Sequence, residues 1–276
     1  MGRLRNLGLA IWLTAGCAGA AAAPRAAAPV PPPVVVPDPA VVETRAGPVS
    51  SARPPDLHVR CEDRKSCPAA VGMLVFARDP EEPQEHPQRC TATLIAPDRV
   101  LTANHCIAPS ARHAGASCSG AWIGFPERGP EPERWVRCGR VLVAAQAEGD
   151  GALRQEYAVL QLTRPMRRPP LSIEPAAAEP GSIVTVVSVT PHPVYVHGHA
   201  LSTRLCRVES PEIATEALGS EAGKVGWLSS CPIDHGNSGS PVLDYEGRVR
   251  AIVHGGTSRA YAFGVTSLVP LASNPD

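Results

Sequence analysis

The chain has 276 residues, and its 26 Lys plus Arg balance 26 Asp plus Glu, leaving a formal charge of zero. No polybasic stripe is present, which excludes a nucleic-acid-binding footprint. Nine cysteines in a chain rich in proline point to an oxidising compartment rather than the cytosol.

Met1-Gly2-Arg3-Leu4-Arg5-Asn6 is a basic start, followed by the apolar run from Leu7 to Ala15. This is the pattern of a signal peptide, too short to persist as a membrane-crossing helix. It ends in Leu13-Thr14-Ala15-Gly16-Cys17, which looks like a bacterial lipobox. Cleavage before Cys17, with acyl chains on it, would tether the protein to a cell-envelope membrane. Ordinary cleavage near Ala18-Gly19-Ala20, with free secretion, is the alternative. Residues 1–17 are therefore read as the signal segment and 18–57 as an Ala/Pro-rich stretch, including Pro29-Val30-Pro31-Pro32-Pro33. Prolines donate no ladder hydrogen bonds, so this stretch is expected to be a disordered, semi-rigid spacer or a propeptide.

Residues 58–276 are long enough for one compact unit, read as two halves of about 58–166 and 171–276. Val71 to Ala77, Thr91 to Ile95, Val136 to Val143, Tyr157 to Leu162, Ile183 to Val189, Val249 to Val253 and Tyr261 to Val265 are short, rich in β-branched residues and bounded by Pro, Gly and charged turns. They predict strands. Long helical periodicity is absent, so the class is all-β. Pro165-Met166-Arg167-Arg168-Pro169-Pro170 would connect the halves.

Two segments carry chemistry. Gly236-Asn237-Ser238-Gly239-Ser240-Pro241 exposes one serine on a small-residue turn, and Leu101-Thr102-Ala103-Asn104-His105-Cys106 offers an imidazole held beside a cysteine. A serine attacks carbonyls only when a neighbouring base takes its proton. The glycines around Ser238 let the N–H groups of Gly236 and Ser238 converge on one point, which builds an oxyanion hole for acyl transfer.

Together these motifs resemble the chymotrypsin-type (trypsin-like) serine peptidases, over about Val71 to Leu271. Cys90-Thr91-Ala92-Thr93-Leu94-Ile95 and Val100 to Cys106 resemble the family's histidine strand pair. The serine loop is closest to the bacterial glutamyl-endopeptidase-like and trypsin-like branch. The order His, acid, Ser fits this fold. The resemblance implies two six-stranded Greek-key barrels with the active site in the cleft between them, and a Cys90–Cys106 disulfide. It also places the acid. Gln155-Glu156-Tyr157-Ala158-Val159-Leu160 stands where the family has Asp before an apolar strand, so Glu156 is the expected orienting acid, one methylene longer than usual. Asp150 in Glu148-Gly149-Asp150-Gly151 is the alternative carboxylate. Asn237 stands where zymogen-activated relatives carry an Asp that pairs with a new N-terminus, so no activation by that ion pair is expected. The primary pocket should be lined by His254, Gly255 and Gly256; His254 lies one residue out of register with the His that accepts acidic side chains in glutamyl endopeptidases. Asp234 is the alternative, favouring basic side chains.

Setting Cys17 aside leaves eight cysteines. Beyond Cys90–Cys106, proximity in sequence pairs Cys61 with Cys67, Cys118 with Cys138 and Cys206 with Cys231. No Cys-x2-Cys spacing occurs, and His192, His197 and His199 lie among Pro and Gly, so no metal site and no cofactor are expected. His235 reads as an exposed loop residue beside Gly236. The resulting expectation is an exported, monomeric serine endopeptidase acting on proteins or peptides through Ser238, His105 and Glu156. The alternative is a weakened or inactive peptidase-like surface protein that binds peptides or proteins through the same cleft.

Overall fold

The computed structural model describes residues 58–61, 68–76, 88–126, 134–145, 156–174, 176, 178–191, 198–214, 224–257 and 261–264. The expected signal segment, Cys17, the Ala/Pro-rich stretch, Cys67, Asp150, His192 and His197 lie outside them. Among the described residues, no helix is long and apolar enough to cross a membrane. The helical pieces among the described residues are two 3₁₀ turns, Asn104–Cys106 and Pro109–Ala111.

The strands are β1 (His58–Cys61), β2 (Val71–Phe76), β3 (Gln88–Ala96), β4 (Arg99–Ala103), β5 (Ala121–Phe125), β6 (Arg134–Ala145), β7 (Tyr157–Leu162), β8 (Ile183–Pro191), β9 (Gly198–Ala214), β10 (Lys224–Ser229), β11 (Pro241–Leu243), β12 (Val249–Thr257) and β13 (Tyr261–Gly264). β2-β3-β4-β7-β6-β5 close into one antiparallel barrel. The second sheet runs β1-β9-β10-β13-β12-β11-β8, and β8 also pairs with β9, so its six antiparallel strands return on themselves. This is the two-barrel, all-β architecture expected from the sequence. β1 falls in the first half by position, yet it pairs in parallel with β9, His58 opposite Gly198.

The apolar pattern explains the packing. β2 (VGMLVF) is buried at every position. β8 buries both faces: Val184 and Val186 join the core of the second barrel, whereas Val187 and Val189 pack with the first-barrel core. Leu201, Leu243, Val249 and Ile252 pack there too, so apolar contact runs across the junction of the barrels. A strand buried on both faces reads as a continuous Val/Ile run, which is why β8 was recognisable.

The connection between the barrels is pinned. Arg168 is buried, donates to the Ala69 carbonyl (3.2 Å) and the Pro126 carbonyl (2.8 Å), and lies 5.4 Å above the Phe125 ring. Met166 N–H donates to Pro97 (2.7 Å) and Leu171 N–H to Leu94 (2.9 Å). A buried guanidinium is tolerated where carbonyls and an aromatic face replace its water.

Candidate active site

β4 and β7 pair with Ala103 opposite Tyr157. The next residues outward, Asn104 and Glu156, continue the contact through Asn104 N–H to the Glu156 carbonyl at 3.4 Å. One further step places His105 over the Glu156 side chain. A single oxygen, Oε1, accepts the His105 backbone N–H at 2.7 Å and faces His105 Nδ1 at 2.7 Å. An ionised carboxylate only accepts, so Nδ1 carries the proton and the Nε2 lone pair is left available. The carboxylate is well sheltered, with 13% of its side chain exposed against 40% for His105. Its other oxygen, Oε2, is buried and has no hydrogen-bond partner. Arg112 braces the turn, donating from Nη2 to the His105 carbonyl (3.2 Å) and from Nε to the Ile107 carbonyl (3.1 Å).

The serine loop is fixed largely through its backbone. Gly239 N–H donates to the Val253 carbonyl (2.6 Å) and Val253 N–H to the Ser240 carbonyl (2.9 Å), which ties the loop to β12. Thr91 N–H donates to the Ser238 carbonyl (2.7 Å), which ties it to β3. Gly239 has φ +83°, and a Cβ there would overlap the Thr91 carbonyl oxygen and press on Thr102 Oγ1. Only glycine meets both demands. Gly236 has φ +95°. Asn237 is fully buried; its Nδ2 donates to the Val189 carbonyl (2.7 Å) and its Oδ1 accepts Asp234 N–H (2.8 Å). Among the described residues, the N–H groups of Gly236 and Ser238 donate to no protein acceptor. Nor does a hydrogen bond join the Ser238 hydroxyl to His105; such contacts are often long before a substrate arrives.

Three disulfides expected from the sequence are formed: Cys90–Cys106, Cys118–Cys138 and Cys206–Cys231, with Cα separations of 6.1, 5.3 and 5.1 Å. Cys61 is also disulfide-bonded, with Cys67 outside the described residues. A ring nitrogen of His105 and the sulfurs of Cys90 and Cys106 lie within 4.8 Å of one another. Those sulfurs are bonded to each other, so they offer no thiolate to a metal.

His254 follows Val253 on β12 and is buried. Desolvation pushes its pKa down to about 4; the Glu156 charge partly offsets this and His105 adds to it. His254 is thus neutral near pH 7 and within electrostatic reach of both residues. Gly255 is half-buried, and the pocket role of the His254–Gly256 stretch rests on the resemblance. Asp234 and His235 are exposed; Asp234 Oδ1 accepts His235 N–H at 2.7 Å, a local turn bond. His199 lies on β9, not in a loop, opposite Pro191 and Val59. Thr91 and Arg112 escaped the sequence reading. Thr91 lies between Cys90 and Ala92 in the histidine strand pair, which was the available signal; Arg112 offered none.

The two-barrel fold, with the histidine turn and the serine loop both tied to β3, defines a trypsin-like architecture. The sequence profile of the trypsin-like peptidase domain matches residues 90–252, more than half the chain, and the protein belongs to that family. No curated protein matches the sequence significantly. Among solved structures, the scabies mite inactivated protease paralogue S-I1 is 17% identical, with 76% of this chain and 95% of that chain covered and a TM-score of 0.55. The Rv3671c protease of M. tuberculosis in its active form is 18% identical over 80% of this chain and 88% of that chain, TM-score 0.49. The MamO protease domain of Magnetospirillum magneticum is 16% identical over 76% and 97%, also at 0.49.

Proposed function

We propose that the protein is an exported serine endopeptidase whose triad is Ser238, His105 and Glu156. The observation that carries this reading is the Glu156 carboxylate held 2.7 Å from His105 Nδ1. It fixes the tautomer that leaves Nε2 free to accept the serine proton. Ser238 Oγ attacks the scissile carbonyl as His105 takes that proton, and the N–H groups of Gly236 and Ser238 hold the oxyanion. His105 then returns the proton to the departing amine as the C–N bond breaks. Water, activated by the same imidazole, hydrolyses the acyl-enzyme ester and restores Ser238. Substrates are proteins or peptides, and the chemistry calls on no metal or cofactor.

Asn237 supports a site competent without an N-terminal ion pair. Both polar atoms of its amide are satisfied, Oδ1 by Asp234 N–H within the loop and Nδ2 by the Val189 carbonyl of β8, so no charge has to arrive to complete it. His254 is buried with its pKa pushed down to about 4, so near pH 7 it brings no charge of its own to draw acidic side chains. Export rests on the basic and apolar start of the chain, with a lipid tether through Cys17 or free secretion of a monomer.

A fluorophosphonate probe tests the core of the proposal. Covalent labelling of the mature protein, absent in Ser238→Ala, is expected. No labelling of a folded, oxidised protein would favour the second reading, a peptide-binding scaffold without catalysis, which the unbonded Ser238 hydroxyl leaves open.

A further inference from the structure

Arg89 lies on β3 immediately before Cys90, two residues ahead of the Thr91 N–H that holds the Ser238 carbonyl. Its own carbonyl oxygen lies 4.0 Å from the position a Cβ would take on Gly236. The residue therefore abuts the turn that presents the candidate oxyanion hole. Its side chain is half-buried, and Nε is enclosed without a hydrogen-bond partner. No carboxylate answers it among the described residues; burial alone acts on the guanidinium, pulling its pKa down.

An enclosed Nε is not unique to Arg89, since those of Arg99 and Arg168 also lack a hydrogen-bond partner, but these other guanidinium groups have acceptors or a counter-ion elsewhere. Arg168 has two carbonyls and the Phe125 ring, and Arg248 and Arg250 share the Asp244 carboxylate at 2.9 Å. A guanidinium kept partly desolvated and without a counter-ion at the edge of a reaction centre is suited to a planar anion brought by the substrate.

Topology gives the side. The serine loop is held on one flank by Val253 of β12, the strand that bears the pocket positions, and on another by Thr91 of β3. A peptide crossing Ser238 with its acyl part toward β12 leads its leaving part toward β3 and Arg89. Building on the peptidase reading above, we propose that Arg89 is a specificity residue that binds a substrate carboxylate on the leaving-group side of the scissile bond. That carboxylate belongs either to an Asp or Glu side chain just after the cut or to a nearby chain terminus.

The test uses the mature protein as wild type, Arg89→Gln and Arg89→Lys. Each is given a randomised peptide library, prepared with free and with amidated C-termini, and cut sites are read by mass spectrometry. Wild type should favour Asp or Glu over Lys in the first two positions after the cut by at least tenfold, or free over amidated termini by a similar factor; the arm that responds names the source. Arg89→Gln should reduce the preference to about twofold or less, and Arg89→Lys should retain part of it. Fluorophosphonate labelling should proceed at the wild-type rate in both variants, showing the site intact. A wild type that labels and cuts but ignores charge after the cut, or prefers acids before it, overturns the role of Arg89 alone. So does an undiminished preference in Arg89→Gln. A wild type that neither labels nor cuts overturns the peptidase reading and this inference with it.

Discussion

His254 makes the stability of the protein depend on pH in a specific window. Its folded pKa is about 4 because burial disfavours the imidazolium, against 6.5 for an unhindered histidine. As pH falls through 6.5, the unfolded chain takes up a proton that the folded chain refuses. Stability is therefore whole above about 6.5, falls as pH drops toward 4, and levels off below, where both states are protonated. A gap of about 2.5 pKa units at roughly 1.36 kcal/mol per unit gives about 3 kcal/mol in total. That is a large share of the 5–15 kcal/mol typical of a folded domain, so the loss should be visible directly. Chemical denaturation with disulfides intact, at pH 7 and pH 4.5, should show wild type losing most of this amount. His254→Gln has no proton to gain, so its loss should be smaller by about 2 kcal/mol or more. Comparing the two proteins cancels the carboxylates that titrate in the same range. Parallel pH profiles for wild type and His254→Gln would refute the argument, since His254 would then be protonated without penalty.

Other perturbations follow from single contacts. Glu156→Asp withdraws the carboxylate by roughly one bond, about 1.5 Å, from an oxygen that serves both the His105 N–H and Nδ1; kcat should fall on the order of a hundredfold with little change in KM. Glu156→Gln should cost more, about 10³–10⁴ in kcat, because an amide can stabilise the wrong tautomer. Asn237→Asp replaces the donor to the Val189 carbonyl by a buried anion; a loss of about 2–4 kcal/mol is expected, read as a melting point lower by roughly 5–12 °C. Gly239→Ala sets a Cβ onto the Thr91 carbonyl at φ +83°, and should cost at least about 2 kcal/mol and abolish fluorophosphonate labelling, because the Ser238 carbonyl hangs on the same Thr91. Wild-type stability and labelling in that variant would mean the loop is not held as described.

What the sequence disclosed depended on how local the signal was. β2, β7 and β8 are compact apolar runs, and their burial gives them away. β9 carries Arg204, Arg207 and Glu209 and passes through Pro211, so it lacks a run; its strand character shows only as alternation, with Cys206 and Val208 buried between exposed neighbours. β11 has three residues and β1 four, too short to register without their partners. Glu156 was placed by its position before β7, whereas the reason a glutamate fits there, the backbone contact from Asn104 that brings His105 over one carboxylate oxygen, belongs to tertiary pairing. For His254 the resemblance implies a place in the pocket wall, whereas its electrostatic reach of Glu156 and His105 belongs to the path of β12 past the serine loop.

Thr91 explains why two segments far apart in sequence behave as one site. Its N–H holds the Ser238 carbonyl, its carbonyl accepts Thr102 Oγ1 at 2.8 Å, and its hydroxyl donates to the Gly236 carbonyl at 3.0 Å while accepting Val189 N–H at 3.1 Å. Ser240 Oγ completes the cluster, 3.2 Å from Thr91 Oγ1 and 2.9 Å from Ser188 Oγ. One residue earlier, Cys90 is bonded covalently to Cys106, the neighbour of His105. The serine loop, the histidine turn and both barrels therefore meet at a dipeptide, Cys90-Thr91, through one disulfide and a set of buried hydrogen bonds. Buried polar networks of this kind hold geometry only when every member is satisfied, so losing one member disturbs several bonds at once. Thr91→Val keeps the shape but removes the hydroxyl from three partners, the Gly236 carbonyl, Val189 N–H and the Ser240 hydroxyl. It should lower fluorophosphonate reactivity more than stability, because the bonds lost are those that fix the turn of Gly236 against the rest of the site. A variant that melted earlier yet labelled at the wild-type rate would show that this cluster supports the fold without positioning the chemistry.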